Sequence, residues 1–226
     1  MKPVKPTKPK QKRLTEIVFI LDRSGSMSGL EQDTIGGFNS MIQKQKQSKI
    51  SAFVSTVLFN NTAMVLHDRI KLSDVPEMTT NDYQVGGMTA LLDAIGSSIH
   101  HISNIHKYAR KEDVPTKTMF VITTDGQENA SKIYNLAKVK AMIEEQINKY
   151  DWEFIFLGAN IDAITVGRNM GIDEHHSVRY KEDRQGTRVL YQTVSNTLCK
   201  MSRCEEKLPK NWKKDIENDF IKRGTK

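Results

Sequence analysis

Short apolar runs without in–out alternation recur along this chain, separated by stretches whose apolar residues follow helical spacing. Glu16–Leu21, Lys117–Thr124 and Trp152–Leu157 carry β-branched or aromatic side chains at successive positions, the pattern of strands buried on both faces. Ile50–Phe59 and Ala63–Ile70 are two more strand-like runs, and the three residues between them admit only an antiparallel hairpin. His175–Tyr180 reads as a last edge strand. Helical spacing appears from Leu30 to about Gln47 (Ile35, Phe38, Met41, Ile42) and from Thr89 to about Tyr108 (Leu92, Ile95, Ile99, Ile102). It returns over Ala130–Tyr150 (Leu136, Val139, Ile143, Ile147), over the short Ile161–Met170, and over Gly186–Arg203 (Leu190, Val194, Leu198, Met201). Leu72–Asp82, with Pro76, reads as irregular. Gly36 and Gly37 weaken the first helix, and close approach to the sheet is the expected reason.

Strands alternating with helices predict an α/β fold: a Rossmann-like, doubly wound, mostly parallel sheet with one antiparallel edge strand and helices on both faces. With 226 residues the chain is long enough to bury one full core. The expected division is a tail at 1–13, one domain at 14–203 and a C-terminal extension at 204–226.

Composition changes this picture only at the ends. The net charge of +7 is concentrated there: residues 1–13 hold six basic and no acidic side chains, and residues 207–226 hold seven basic and three acidic ones. The body between them is mildly acidic. A Lys/Pro-rich tail cannot bury enough surface to fold, and it offers weak contact with a polyanion through phosphates. No aromatic residues interleave its lysines, so base stacking has no support. No run is long and apolar enough for a membrane span, and no hydrophobic segment of export-signal length follows the tail, so the expected location is cytoplasmic. Cys199 and Cys204, five apart with no histidine at metal spacing, are expected to be reduced thiols.

The candidate chemistry sits where two of the buried runs end. Ile17–Leu21 is followed by Asp22-Arg23-Ser24-Gly25-Ser26, and Met119–Thr124 by Asp125-Gly126. Between them, Gly86-Gly87-Met88-Thr89 places one hydroxyl at the mouth of an apolar helix. In a doubly wound sheet, ligands bind beyond the carboxyl ends of strands where the winding reverses. Neighbouring strands there bring Asp22 and Asp125 to one crevice, and a cation between them removes their repulsion. Ser24 and Ser26, at alternate positions of an extended loop, aim to the same side as Asp22. Two carboxylates and three hydroxyls form a hard oxygen set suited to Mg2+, with Mn2+ or Ca2+ as alternatives. At least one coordination position is left open, and an unidentified protein partner's Glu or Asp carboxylate would fill it.

These segments resemble the von Willebrand factor A (vWA) family, whose metal-ion-dependent adhesion site (MIDAS) reads Asp-x-Ser-x-Ser, then Thr, then Asp. Asp22, Ser24, Ser26, Thr89 and Asp125 match all five positions. The resemblance spans about residues 14–203 and extends to Thr124-Asp125-Gly126 and to Phe156-Leu157-Gly158-Ala159-Asn160. It is similar to stand-alone bacterial or phage members, including those near tellurite-resistance systems. The resemblance implies a Rossmann-like domain that binds protein ligands through a divalent cation; no enzymatic activity is expected.

Two other classes compete. A Mg2+-dependent phosphatase of the haloacid dehalogenase type needs a second aspartate two residues after the first, and that position is Ser24. A P-loop is absent, and Met27 stands where a nucleophile-elbow serine between Gly25 and Gly29 would be. A nucleic-acid-associated scaffold acting through the basic ends is the other. His100, His101 and His106 share a helix at spacings poor for joint ligation, and with His175 and His176 they read as solvated or packing residues.

Overall fold

The computed structural model of the chain describes residues 13–159, 161–203 and 207–224. Most of the expected basic tail, Asn160 and Cys204 lie outside the described residues. Strands β1 (Leu14–Asp22), β2 (Ser51–Phe59), β3 (Ala63–Lys71), β4 (Lys117–Thr124), β5 (Glu153–Gly158) and β6 (Ser177–Arg179) form one sheet in the order β3-β2-β1-β4-β5-β6. Only β2 and β3 pair antiparallel, and β3 stands at one edge, opposite β6. The mostly parallel sheet with one antiparallel edge strand agrees with the apolar pattern.

The absence of alternation in the central strands follows from cover on both faces. Ile17, Phe19 and Leu21 of β1 pack into one apolar layer with α1 (Glu31–Gln47) and α5 (Arg184–Arg203). Val18 and Ile20 pack into the other, with α2 (Leu91–Tyr108) and α3 (Leu136–Tyr150). Each fully buried aliphatic or aromatic side chain contributes about 1.5–3 kcal/mol relative to exposure. The short α4 (Ala163–Asn169) follows β5. The first layer continues past Arg203: Leu208, Trp212 and Ile216, the last on α6 (Lys214–Lys222), belong to the same cluster. Trp212 Nε1 donates to the His175 carbonyl at 2.8 Å, and Lys213 Nζ donates to the carbonyls of Glu174 and Ser177.

Three local expectations are corrected. The glycines of α1 do not serve contact with the sheet: a Cβ on Gly37 would stand 2.3 Å from the Tyr191 ring of α5, while one on Gly36 would meet nothing within 4 Å. His175 and His176 lie in a 3-10 turn ahead of β6, so this edge strand is shorter than the expected His175–Tyr180. Residues 130–135 are not helical, because the N–H groups of 130–134 go to carboxylates rather than to preceding carbonyls. Glu128 Oε1 accepts from Ala130 and Ser131 at 2.9 and 2.8 Å. Asp93 accepts from Lys132, Ile133 and Tyr134 at 2.8–2.9 Å. Asn135 then caps α3 by accepting from Lys138 N.

Asp93 thus ties the loop after β4 to the first turn of α2. Desolvation opposes its ionised form, but the three N–H groups and the Lys132 charge outweigh it and hold the carboxyl below its ordinary 3.8. Asp93→Asn is expected to cost about 1.5–3 kcal/mol in urea unfolding at pH 7, the range for hydrogen bonds to a charged group. Because the folded value is depressed, this contribution is complete above pH 3.8 and is lost as pH falls through the folded value. The gap between wild type and variant should therefore close on acidification; a gap that persists unchanged at pH 2 would contradict the assignment.

Candidate metal centre

β1 and β4 are parallel neighbours, and the chain leaves them in opposite directions, toward β2 on one side and β5 on the other. Their carboxyl ends therefore flank the switch point of the sheet. Asp22 is the last residue of β1, and Asp125 follows the last residue of β4.

The structure brings all five expected residues to this crevice. Asp22 is 1% exposed; its Oδ1 accepts from Ser24 N at 2.7 Å and its Oδ2 from Thr124 Oγ1 at 2.6 Å. Tyr83 donates its hydroxyl to the Asp22 carbonyl. Ser26 Oγ donates to Asp125 Oδ1 at 2.7 Å. A serine hydroxyl has one proton, so Ser24 Oγ is the donor across the 3.0 Å to Ser26 Oγ. Ser24 is buried and Ser26 is exposed, which opens the crevice to solvent on the Ser26 side.

Thr89 is not the first residue of its helix, as the spacing predicts; α2 begins at Leu91. Asn129 holds Thr89 in the crevice wall instead: Thr89 N donates to Asn129 Oδ1 at 2.9 Å, and the Thr89 carbonyl accepts from Asn129 N at 3.0 Å. The glycines before it are required. Gly87 has φ +82°, and a Cβ there would lie 1.9 Å from Asn61 Oδ1, the atom that accepts from Met88 N. Gly25 N donates to the Gly87 carbonyl at 3.0 Å and Gly86 N to the Arg23 carbonyl at 2.9 Å, so this loop clamps the Asp22–Ser26 loop. A Cβ on Gly126 would stand 3.0 Å from Thr89 Oγ1 and 3.2 Å from Ser26 Oγ: both hydroxyls converge on the turn beside Asp125.

The electrostatics leave one defect. Asp125 is 3% exposed, and its Oδ2 meets no donor. Burial pushes the Asp22 carboxyl above its ordinary range; the hydrogen bonds from Thr124 and Ser24 pull the other way, and the charge of Asp125 adds to the rise. Glu182, in the loop between β6 and α5, is pushed up to about 7 by burial and by the carboxyl of Asp125 within hydrogen-bonding reach. A buried unpaired carboxylate oxygen costs several kcal/mol unless a proton or cation meets it. The donors fit a small hard cation: two carboxylates on adjacent strand ends and three converging hydroxyls. They are mostly hydroxyls; among the described residues, no three His, Cys, Asp or Glu side chains form a metal-binding group.

Four positioning residues escape the sequence pattern: Thr124, Asn129, Asn61 and Tyr83. Thr124 belongs to the Thr124-Asp125-Gly126 segment, but a strand threonine gives no sign of donating to a carboxylate on the next strand. Asn61 reads as hairpin-turn chemistry and Asn129 as loop. Glu182, between Lys181 and Asp183, has the look of a solvated turn. The histidines behave as packing or surface groups: His101 pairs with Asp68, His106 lies against Trp152 and Glu16, and His176 pairs with Glu153.

Comparison with known proteins gives the same architecture. No curated protein matches the chain. Proximal thread matrix protein 1 from the mussel byssus, solved with a zinc-occupied MIDAS motif, aligns with TM-score 0.53 and 14% identity over 83% of this chain and 46% of its own. A von Willebrand factor type A protein from Catenulispora acidiphila aligns with TM-score 0.55 and 13% identity, over 82% of this chain and 42% of its own. The ArnB paralog VWA2 from Sulfolobus acidocaldarius aligns with TM-score 0.52 and 16% identity, covering 81% and 44%. At such identities the likeness establishes the fold, and this chain spans less than half the length of these three proteins. A family model described as VWA domain containing CoxE-like protein matches residues 2–147. Domains of this kind are commonly metal-dependent protein-interaction modules. With more than half of its length matched, the chain belongs to the vWA domain family with CoxE-like members.

Proposed function

We propose that this chain is an adaptor that docks an acidic side chain of a partner protein onto Mg2+ held by Asp22, Ser24, Ser26, Thr89 and Asp125. The observation that carries this reading is Asp125 Oδ2: buried, without a donor, and beside a second buried carboxylate on the adjacent strand. A divalent cation supplies the missing positive charge and presents an outward coordination position. Asp22 and Asp125 offer the charged oxygens, while Ser24, Ser26 and Thr89 offer neutral ones that leave the ion attractive to an external anion. Thr124 and Ser24 N orient Asp22, Asn129 orients Thr89, and the Gly86–Gly87 turn holds the two loops at fixed spacing. Met88, 51% exposed beside Thr89, supplies an apolar contact next to the docked carboxylate. The reading is of a binding site rather than a catalytic centre, in the cytoplasm, with Mg2+ as the resident ion. Support comes from the family membership and from the zinc-occupied motif of the mussel protein. No helix among the described residues is long and apolar enough to cross a membrane.

The test is a pull-down from native lysate with wild type and Asp22→Ala, in Mg2+ or in EDTA. A partner retained only by wild type in Mg2+, and lost when its acidic residues are replaced, is the expected result. Identical partners under all four conditions would refute the metal bridge.

A further inference from the structure

We propose that the groove between α1 and α5 holds an acidic segment of the partner whose carboxylate docks on the metal; this rests on the metal reading above. The groove is an open cavity of about 500 Å3 between the two helices. Three cations line it: Lys44 from α1, and Arg184 and Arg188 from α5. The two arginines, four residues apart, share one face of their helix. Asp33 is the acid on the lining, and it stands 3.6 Å from an Arg184 side chain that is 91% exposed, so water screens the pair. Lys44 donates to Asn196, a neutral group, and Arg188 pairs with no acid among the described residues. Two positive charges are left over, in a body that is mildly acidic overall. The chemistry that complements this groove is a carboxylate-bearing chain.

Gly36 leaves the groove floor bare. It is exposed in the interior of α1, where glycine costs about 1 kcal/mol relative to alanine. Gly37 is explained by the Tyr191 ring, but a Cβ on Gly36 would meet nothing within 4 Å, and its φ is not positive. Neither packing nor backbone conformation requires this glycine. Its missing side chain opens the helix to close approach by another backbone. Gln32 and Gln192, exposed on the two walls, offer amides to the N–H and C=O groups of an extended segment. Tyr191, the aromatic residue on the lining, is 7% exposed and closed against Gly37, so the groove gives a nucleic acid no face for base stacking.

The groove opens beside the metal crevice. α1 starts just after the Gly25–Met27 turn at the carboxyl end of β1, and α5 follows β6, whose carboxyl end pairs with Gly158 of β5. Gln32 and Arg184, in the first turns of their helices, therefore stand at the crevice end, and Lys44 and Ser195 lie farther along. The helical rise from Gln32 to Lys44 is about 18 Å, the length of about five or six extended residues. The fitting partner carries a metal-docking Glu or Asp with further acidic residues within that distance.

The test uses the full chain and fluorescein-labelled hexaglutamate, with fluorescence anisotropy read in Mg2+ for wild type, Arg188→Glu, Gly36→Gln and Asp22→Ala. Wild type is expected to bind, with affinity falling as salt rises. Arg188→Glu and Gly36→Gln are each expected to bind about tenfold more weakly. Gly36→Gln should also melt about 2–4 °C higher, because a helix former replaces glycine, so its loss of binding is not a loss of fold. Unchanged binding by both groove variants, with none by Asp22→Ala, would overturn the groove and leave metal docking intact. If instead both groove variants weaken binding while Asp22→Ala matches wild type, the metal anchor fails and the groove stands. Tighter binding of labelled hexathymidylate than of hexaglutamate would overturn the assignment to an acidic protein segment. So would the absence of hexaglutamate binding to wild type.

Discussion

Wild-type protein is expected to melt about 5–10 °C higher in Mg2+ or Mn2+ than in EDTA, and Asp22→Ala is expected to show no such rise. The magnitude follows from linkage. A ligand present at 100 times its dissociation constant stabilises the folded state by about 2.7 kcal/mol, and a domain of this size shifts by roughly 2–4 °C per kcal/mol. Asp22 is the right position to remove. It is buried at the strand end, carries one of the two formal charges offered to the ion, and fixes Ser24 and Thr124 around it. Alanine therefore deletes a ligand and loosens two neighbours. An equal metal-induced rise in the variant would show that the stabilising ion binds elsewhere, and differential scanning fluorimetry over a metal titration decides it.

The second large effect is expected far from the crevice. Trp212→Ala should destabilise the protein by about 3–5 kcal/mol, the range for truncating a buried aromatic. Trp212 is buried in the layer shared by β1, α1 and α5, and its indole N–H satisfies the His175 carbonyl ahead of β6. Urea unfolding of the full chain is the measurement. If residues 204–226 are an extension independent of the domain, the substitution will be nearly silent; a loss of several kcal/mol makes them part of one cooperative unit. The result also bears on the crevice, because α6 reaches the Lys181–Asp183 turn through Arg223.

Much of the fold is legible because its causes are local or periodic. The central strands lack alternation since both faces are covered, and the stripes on α1, α2 and α5 are the buried faces of those helices. The Asn60–Thr62 connection allows only a hairpin, and a hairpin is there. Where the reading misplaces an element, side chains distant in sequence have intervened. The α3 pattern extends back to Ala130 in register, but Glu128 and Asp93 capture the N–H groups that a helical turn would have used. Leu136, expected on the buried stripe, is 43% exposed at the first turn. The glycine at position 37 signals close packing correctly; that the neighbour is Tyr191 of α5 depends on how two helices cross.

For the candidate site the same division holds. The sequence alone determined which residue types stand at two strand ends and one glycine turn, because an apolar run, an aspartate and a tight turn are each encoded within a few neighbouring residues. It also determined that these lie at carboxyl ends of parallel strands, since short connections and buried runs leave few ways to wind the chain. The tertiary structure decided that β1 and β4 are neighbours, which makes two turn-forming aspartates a pair of buried carboxylates. It decided that Asn129 holds Thr89 outside its helix and that Thr124 reaches across to Asp22. Those contacts join residues 40 and 102 positions apart. No local propensity encodes them: burial of the shared core brings the segments together, and only then do their polar groups meet.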